Sequence, residues 1–162
     1  DRKLILDLRG NPGGFLQSAV NIASYFLPTG KVVVRESFGE GMEEEVHRST
    51  GRDITAYYPL KIVILVDRGS ASASEILAGA LKEHGVATLI GTRTFGKGSV
   101  QELIDLDDGS SLKVTIARWL TPNGTSISEG GLHPDIEVEV TEEDRAAGRD
   151  PQLEAAIKYL NE

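Results

Sequence analysis

Apolar residues follow two different periods along the chain, and the change of period separates strands from helices. Residues 3–8, which contain the apolar run Leu4-Ile5-Leu6, and the unbroken apolar run at residues 62–66 are typical of short buried strands. Between them, apolar residues recur at helical spacing and predict a helix with one face on the core: Leu16, Ala19, Val20, Ala23 and Phe26. Pro28 and Gly30 are expected to end this helix, and residues 31–35 to form a β-branched strand.

The same reasoning assigns the rest of the chain. Residues 36–58 are polar and irregular, with an acidic patch at residues 43–45, and predict a solvated loop or hairpin. A helix is expected from Ser72 to about Glu83. Further strands are expected at residues 88–91, 100–106, 111–120 and 136–140. A C-terminal amphipathic helix is indicated by Leu153, Ala156, Ile157 and Leu160.

Strands alternate with helices in the first half, and hairpins dominate afterwards. Asp107-Asp108-Gly109 is a hairpin turn between two of the later strands, and its spacing does not fit a calcium-binding loop. The pattern predicts one α/β domain over residues 1–162, with βαβ crossovers, a mixed sheet and an antiparallel extension. The length of 162 residues suits a single domain with its own core.

Composition excludes several functional classes. Hydrophobic residues make up 40% of the chain and charged residues 26%, as in an ordinary globular protein. The formal net charge of -8 argues against a nucleic-acid partner, because such proteins carry a basic face. With no cysteine, the chain has no disulfide, thiolate zinc site or cysteine nucleophile. We expect no cofactor and no metal.

The segment at residues 69–76 offers a candidate nucleophile. A strand that runs through small residues into a helix raises a side chain above the sheet, and the helix N-terminus supplies free N–H groups that can stabilise an oxyanion. Ser70, Ser72 and Ser74 lie there. The structural alternative is a capping box, in which Ser72 caps the helix and Glu75 reaches back to it.

A serine nucleophile needs a base, and two kinds of base are present. His47, His84 and His133 could complete a triad, but each occupies a position typical of a surface histidine. Lys97 lies between two glycines, which allow close approach of a ligand. In an extended segment Lys97 and Gln101 share one face, so the amide could orient the amine.

A lysine acts as a base only when it is neutral. Because the ordinary lysine pKa is about 10.4, fewer than about one amine in 1,000 is neutral at pH 7. Burial must lower that pKa by roughly three units, at a cost of about 4 kcal/mol. The alternative for such a lysine is an exposed position in a glycine turn.

Four separated stretches resemble the carboxyl-terminal processing (tail-specific) serine proteases and occur in that family's order. They are D-L-R-G-N-P-G-G at residues 7–14, G-S-A-S-A-S-E-I at residues 69–76, T-F-G-K-G-S-V-Q at residues 94–101, and T-P-N-G at residues 121–124 continuing to G-L-H-P-D at residues 131–135. The resemblance covers nearly the whole chain.

The resemblance implies a role for each matching residue. It implies that Ser72 is the nucleophile, that Lys97 is the general base and that Gln101 orients the lysine. The oxyanion hole would pair the Ala73 amide with a glycine amide of the N-P-G-G stretch, assigned to Gly14, with Gly13 as the alternative. The implied fold is the Clp protease/crotonase-like α/β core.

The resemblance also implies function and surroundings. It implies a serine endopeptidase that cleaves proteins or peptides near accessible C-termini through an acyl-enzyme, outside the cytoplasm, although the chain carries no signal peptide. Three alternatives remain: a non-catalytic peptide-binding module, a crotonase-like serine amidase for small substrates, and an inert fragment. The family's PDZ domain and an N-terminal strand and helix are not recognisable. We therefore expect an oligomer, or a complementing chain that covers the gap.

Overall fold

The protein is described here by a computed structural model that covers residues 2–128 and 130–162. Four parallel strands form the first sheet in the order β1-β4-β5-β8. Their bounds are Arg2–Asp7 for β1, Leu60–Val66 for β4, Ala87–Gly91 for β5 and Ile136–Glu137 for β8. The parallel register runs in step from one strand to the next, so the carboxyl ends of β1, β4 and β5 meet at one edge.

The second sheet is antiparallel and follows the order β3-β2-β7-β6. Its strands are β2 (Val32–Ser37), β3 (Glu45–Arg48), β6 (Ser99–Asp105) and β7 (Ser111–Leu120). The hairpin of β6 and β7 is its longest pairing. Apolar side chains on this hairpin are exposed, in contrast to those of the parallel sheet: Leu103, Ile104, Leu112 and Ile116.

Helices cover the parallel sheet on both faces. Their bounds are Leu16–Ala23 for α1, Ala73–Glu83 for α2, Glu142–Ala146 for α3 and Pro151–Asn161 for α4. β4 is buried on both sides, since its alternating side chains enter two different cores. Ile62, Ile64 and Val66 belong to the larger core with α1 and α2. Val63 and Leu65 pack against α4 in the smaller one.

Most predicted elements are present, and the differences have local causes. α1 ends at Ala23, earlier than predicted, because the amides after Ser24 bond three residues back rather than four and the Ser24 carbonyl accepts the Arg52 N–H at 2.8 Å. Phe26 nevertheless stays buried, as its spacing predicted. The polar segment 36–58 contains β3, which makes it a hairpin rather than a loop.

One helix was not predicted. Helix α3 has no buried residue, so it lacks the apolar periodicity by which helices were recognised. A local cap holds it, since the Thr141 hydroxyl accepts the Asp144 N–H. The strand expected at residues 136–140 is shorter in the structure and ends at Glu137. No helix in the described ranges is long and apolar enough to cross a bilayer.

Candidate active site

Ser72 occupies a strained turn between β4 and α2. Its φ of 54° and ψ of −120° make it the one non-glycine residue with positive φ in the described part of the chain. Such a conformation is unfavourable for a residue with a Cβ and persists only where the surroundings hold it. Ser72 is half-buried and immediately precedes the first residue of α2.

Hydrogen bonds from three separate segments hold this turn. The Ser70 hydroxyl donates to the Leu8 carbonyl at 2.7 Å and accepts the Asp67 N–H at 3.0 Å. The Ala71 N–H donates to the Asn11 carbonyl at 3.0 Å. The Phe95 N–H donates to the Ser70 carbonyl at 3.0 Å. The first three of the four motif stretches thus meet at the Ser72 turn.

Glu75 ties the Ser72 turn to the Lys97 loop from the protein interior. It is fully buried, and one carboxylate oxygen accepts the Ser72 N–H and the Lys97 N–H, each at 2.9 Å. Its other oxygen accepts the Gly96 N–H at 2.7 Å and the Thr94 hydroxyl at 2.5 Å. A carboxylate that accepts four donors satisfies its buried charge by hydrogen bonding.

The glutamate half of the predicted capping box is present, since the Glu75 carboxylate accepts the Ser72 N–H. The Ser72 side chain lies beside the Glu75 backbone without a cap hydrogen bond of ordinary geometry, and the Glu75 N–H donates instead to the Ser72 carbonyl at 2.9 Å. Sequence reasoning missed the link to Thr94, Gly96 and Lys97. The available signal was a glutamate in the first turn of a helix whose other first-turn residues are small.

The backbone amides of Ala73 and Gly14, from two of the segments that meet at the Ser72 turn, have no hydrogen-bond partner among the described residues. Ala73 is the first residue of α2, where the amide has no partner within the helix. The Gly13 N–H, by contrast, donates to the Asn11 side chain at 2.9 Å. Between the two glycines that the sequence left open, only Gly14 thus has an amide available to a ligand.

Gly13 has a different role, which is to let the two loops touch. Its φ is +90°, and a Cβ there would lie 2.5 Å from the Ala71 carbonyl oxygen and 2.7 Å from the Ala73 nitrogen. Gly14 has open space at the same position. A glycine at position 13 is therefore required for the N-P-G-G loop to lie against the Ser72 turn.

A largely apolar cavity of about 280 Å³ opens beside this turn. It is lined by both loop glycines and by Ala73 and Ser74, and its apolar walls come from α1, α2 and the loop before α1: Leu8, Phe15, Ala19, Ile22 and Leu77. The cavity lies next to the unpartnered amides and is suited to one apolar side chain.

Lys97 and Gln101 lie on the exposed side of the site. Both side chains are exposed, and neither has a hydrogen bond or ion pair with any residue that the structure describes. Lys97 precedes β6, and Gln101 is paired with Thr115 inside it. The structure thus brings the Lys97 backbone to Glu75 but does not contain the buried lysine that a neutral amine requires.

The histidines and the tryptophan have other surroundings. The His84 ring approaches the Val32 carbonyl at 2.7 Å at the end of α2, and His133 is exposed. His47 lies in β3 with its ring edge-on to Trp119. Trp119 is 9% exposed and belongs to the larger core.

The fourth motif stretch joins the other three through Thr94. The Thr94 N–H donates to the Leu132 carbonyl at 3.1 Å, and the Leu132 N–H donates to the Thr94 hydroxyl at 2.7 Å. Since that hydroxyl also donates to Glu75, the chain of bonds runs from the Gly131-Leu132 segment to the Ser72 turn. All four stretches therefore converge on one point of the fold.

Comparison with known proteins agrees with this convergence. The sequence pattern of peptidase family S41 matches residues 2–138. A CtpA-like serine protease of Staphylococcus aureus is 43% identical over 138 residues, which are 85% of this chain and 27% of that protein. The chain thus spans about a quarter of the length of that relative.

Solved structures show the same relation in three dimensions. The photosystem II D1 C-terminal processing protease superposes with a TM-score of 0.77 at 40% identity, over 85% of this chain and 34% of that one. The tricorn protease superposes with a TM-score of 0.67 at 25% identity, over 98% of this chain and 15% of that one. The predicted Clp protease-like α/β fold is confirmed, with its parallel and antiparallel strands in separate sheets. The chain belongs to peptidase family S41 and is a homologue of the CtpA-like, carboxyl-terminal processing serine proteases.

Proposed function

We propose that this chain carries the catalytic centre of a serine endopeptidase in which Ser72 is the nucleophile and Lys97 the general base. The observation that supports this most is the strained backbone of Ser72 at the N-terminus of α2, beside the unpartnered amides of Ala73 and Gly14. A helix cap alone needs neither the strain nor a second free amide from another loop.

The proposed reaction proceeds in two halves. Neutral Lys97 accepts the Ser72 hydroxyl proton while the oxygen attacks the peptide carbonyl carbon, and the carbonyl electron pair becomes the oxyanion. The Ala73 and Gly14 amides donate to that oxyanion. Removal of one such donor typically lowers the rate by about 10²–10³-fold. The C–N bond then breaks as Lys97 returns the proton to the leaving amine.

Water completes the cycle by the same proton path. Lys97 accepts a proton from water as the oxygen attacks the acyl carbon, and the proton returns to the Ser72 oxygen as the ester bond breaks. The base must therefore be neutral twice per turnover. Because Lys97 is exposed, we propose that its side chain turns toward Ser72 and loses solvent when substrate or another part of the protein covers the hairpin. Gln101 is the proposed partner that orients the amine.

The substrate class follows from the cavity and from the relatives. An apolar cavity of about 280 Å³ beside the nucleophile favours an apolar side chain next to the scissile bond. One homologue is named for the C-terminal processing of the photosystem II D1 protein. We therefore propose protein or peptide substrates cleaved near accessible C-termini, outside the cytoplasm.

An unfolded protein with an apolar C-terminus is the substrate for the test. We expect wild type to shorten it, and Ser72→Ala and Lys97→Ala each to lose about 10³-fold or more in rate, as happens when one member of a catalytic unit is removed. Lys113→Ala is a matched control, since Lys113 is an exposed lysine in β7. Mass spectrometry of the products gives the rate and the cleavage positions.

Each other outcome points to a named alternative. Equal cleavage by all four proteins contradicts the Ser72 and Lys97 assignment. Binding without cleavage by wild type favours the peptide-binding module, and neither binding nor cleavage favours the inert fragment. Hydrolysis restricted to small amides favours the amidase. The expected oligomer or complementing chain stays a prediction, which light scattering that finds a monodisperse monomer would contradict.

A further inference from the structure

Three potential metal ligands lie on one face of the antiparallel sheet, away from Ser72 and Lys97 in the sequence. The β2–β3 register pairs Glu36 with Glu45 and Val34 with His47. Because strand side chains alternate, the two carboxylates and the imidazole point to the same side. Trp119 of β7 is paired with Glu36 and lies next to these side chains.

The His47 ring nitrogen faces both carboxylates but bonds to neither. His47 Nε2 is 3.5 Å from a Glu36 oxygen and 3.9 Å from a Glu45 oxygen. This nitrogen is buried and has no hydrogen-bond partner among the described residues. Glu36 is itself 9% exposed. A buried polar atom without a partner is unfavourable and calls for an explanation.

The spacing suits a metal ion better than a hydrogen bond. Zinc binds imidazole nitrogen and carboxylate oxygen at about 2.0–2.2 Å with tetrahedral geometry, which separates neighbouring ligand atoms by about 3.3–3.6 Å. One ligand atom from each of the three residues lies within 4.8 Å of the other two. An N–H···O hydrogen bond needs about 2.7–3.2 Å. Small side-chain movements would bring all three atoms to zinc distance.

We propose that Glu36, Glu45 and His47 bind one divalent transition-metal ion of the zinc type. The imidazole nitrogen disfavours calcium and magnesium, which prefer oxygen ligands. Two carboxylates and a neutral imidazole balance the charge of the ion. The Glu45 side chain is 63% exposed, which gives the ion a path of entry and leaves a fourth position open to water.

The sequence predicted no metal, and strand pairing is what changes that prediction. Absence of cysteine excludes only thiolate sites, and a His/Glu set on two strands has no recognisable spacing in the sequence. The bound ion would join β2 to β3 beside Trp119. The backbone N–H of Trp119 donates to the Gly98 carbonyl at 2.7 Å. Gly98 follows Lys97, the proposed base, so β7 is the strand that lies between the metal site and the Lys97 segment. The inference does not depend on the proposed function.

Calorimetric titration of the EDTA-treated chain with zinc chloride near pH 7.5 tests the proposal. We expect one ion per chain and a parallel change in the fluorescence of Trp119, which is the sole tryptophan. Magnesium chloride should give neither signal. Absence of zinc binding to wild type overturns the proposal.

Three variants identify the ligands. His47→Gln and Glu45→Gln should each weaken zinc binding by about tenfold or more, because each removes one of three protein ligands. Glu45 is exposed, so its replacement leaves the fold intact and keeps the test valid if His47→Gln unfolds. His133→Gln, at an exposed histidine, should bind zinc as wild type does. Unchanged affinity in Glu45→Gln, or equal loss in His133→Gln, overturns the site.

Discussion

The two sides of the proposed catalytic centre are held in opposite ways. Ser72 follows β4, whose residues 62–66 are buried on both faces, and it is fixed by hydrogen bonds from three segments. Lys97 leads into the β6–β7 hairpin, whose side chains are largely exposed. Ser72 is therefore positioned by the core. The Lys97 backbone is positioned by one buried carboxylate, that of Glu75, and its side chain is exposed.

The largest expected effect comes from the carboxylate that joins the two sides. Glu75→Ala leaves the amides of Ser72, Gly96 and Lys97 and the Thr94 hydroxyl without their acceptor, and should lower the free energy of unfolding by about 3–5 kcal/mol. Urea denaturation measures the change, and cleavage should be lost with it. A Glu75→Ala protein as stable as wild type would show that the two sides are not joined there.

Glu75→Gln tests whether the shape or the negative charge of the Glu75 side chain holds the Ser72 and Lys97 segments together. Glutamine keeps one acceptor oxygen and the same shape. The fold should therefore survive, while the donors to the other Glu75 oxygen lose their acceptor. We expect a stability between those of Glu75→Ala and wild type, with a loss in kcat rather than in KM. Equal stability of the glutamine and alanine variants would mean that the negative charge, and not the geometry, carries the link.

The next largest effect is the difference in unfolding free energy between a truncation in the core and one in the β6–β7 hairpin. Ile64→Ala removes a fully buried side chain of β4 and should cost about 2–5 kcal/mol of unfolding free energy. Leu103→Ala in β6, where the side chain is 63% exposed, should change it by less than about 0.5 kcal/mol. Thermal and urea unfolding of both variants measure the contrast. A comparable loss in Leu103→Ala would reveal that the hairpin is covered in solution.

A smaller effect tests the contact between the loops at Gly13. Gly13→Ala should destabilise the chain by about 1–3 kcal/mol and suppress activity, because the added Cβ meets backbone atoms of the Ser72 turn. Gly10→Ala is the matched control, since Gly10 also has positive φ but nothing within 4 Å of an added Cβ. Equal losses in the two variants would attribute the effect to backbone strain alone.

The smallest effect concerns the ion pairs that fasten α4 to β1. Hydrogen bonds from the Arg9 guanidinium hold the pKa of Asp7 and of Asp150 below the ordinary aspartate value. A carboxyl with a lowered folded-state pKa contributes stability above its unfolded pKa, near 4, and loses that contribution as the pH falls through the folded value. Stability should thus decline below about pH 4.

Arg9→Gln removes the guanidinium that bonds Asp7 and Asp150, so stability should fall less steeply as the pH drops below about 4. The loss at pH 7 should be about 1 kcal/mol, because water reaches both carboxylates and weakens the pairs. Melting temperatures between pH 2 and pH 7 measure the slope. Arg48→Gln removes an exposed arginine whose guanidinium donates to the Gly30 carbonyl, with no ion pair among the described residues, and should leave the slope unchanged. Parallel curves for wild type and Arg9→Gln would contradict the assignment.

The predictions made from the sequence failed where side-chain periodicity carried no information. An unbroken apolar run identified β4 and helical spacing identified α2, because both elements are extensively buried. They did not identify α3, which buries nothing, and they left the β3 segment open between a loop and the hairpin that it forms with β2. Of the two positions that the sequence left open for Lys97, buried or exposed in a glycine turn, the structure has the exposed one.

The sequence by itself determined the order of elements, the family and the candidate residues of the site, because these depend on local spacing and on motifs contiguous in the chain. Only the tertiary structure decided that Gly14 rather than Gly13 offers a free amide, that Glu75 joins the Ser72 and Lys97 segments, and that His47 faces two carboxylates. Each of these depends on a hydrogen bond or close contact whose geometry, down to which amide or oxygen takes part, is settled only when the segments pack. Spacing along the chain does not predict that geometry.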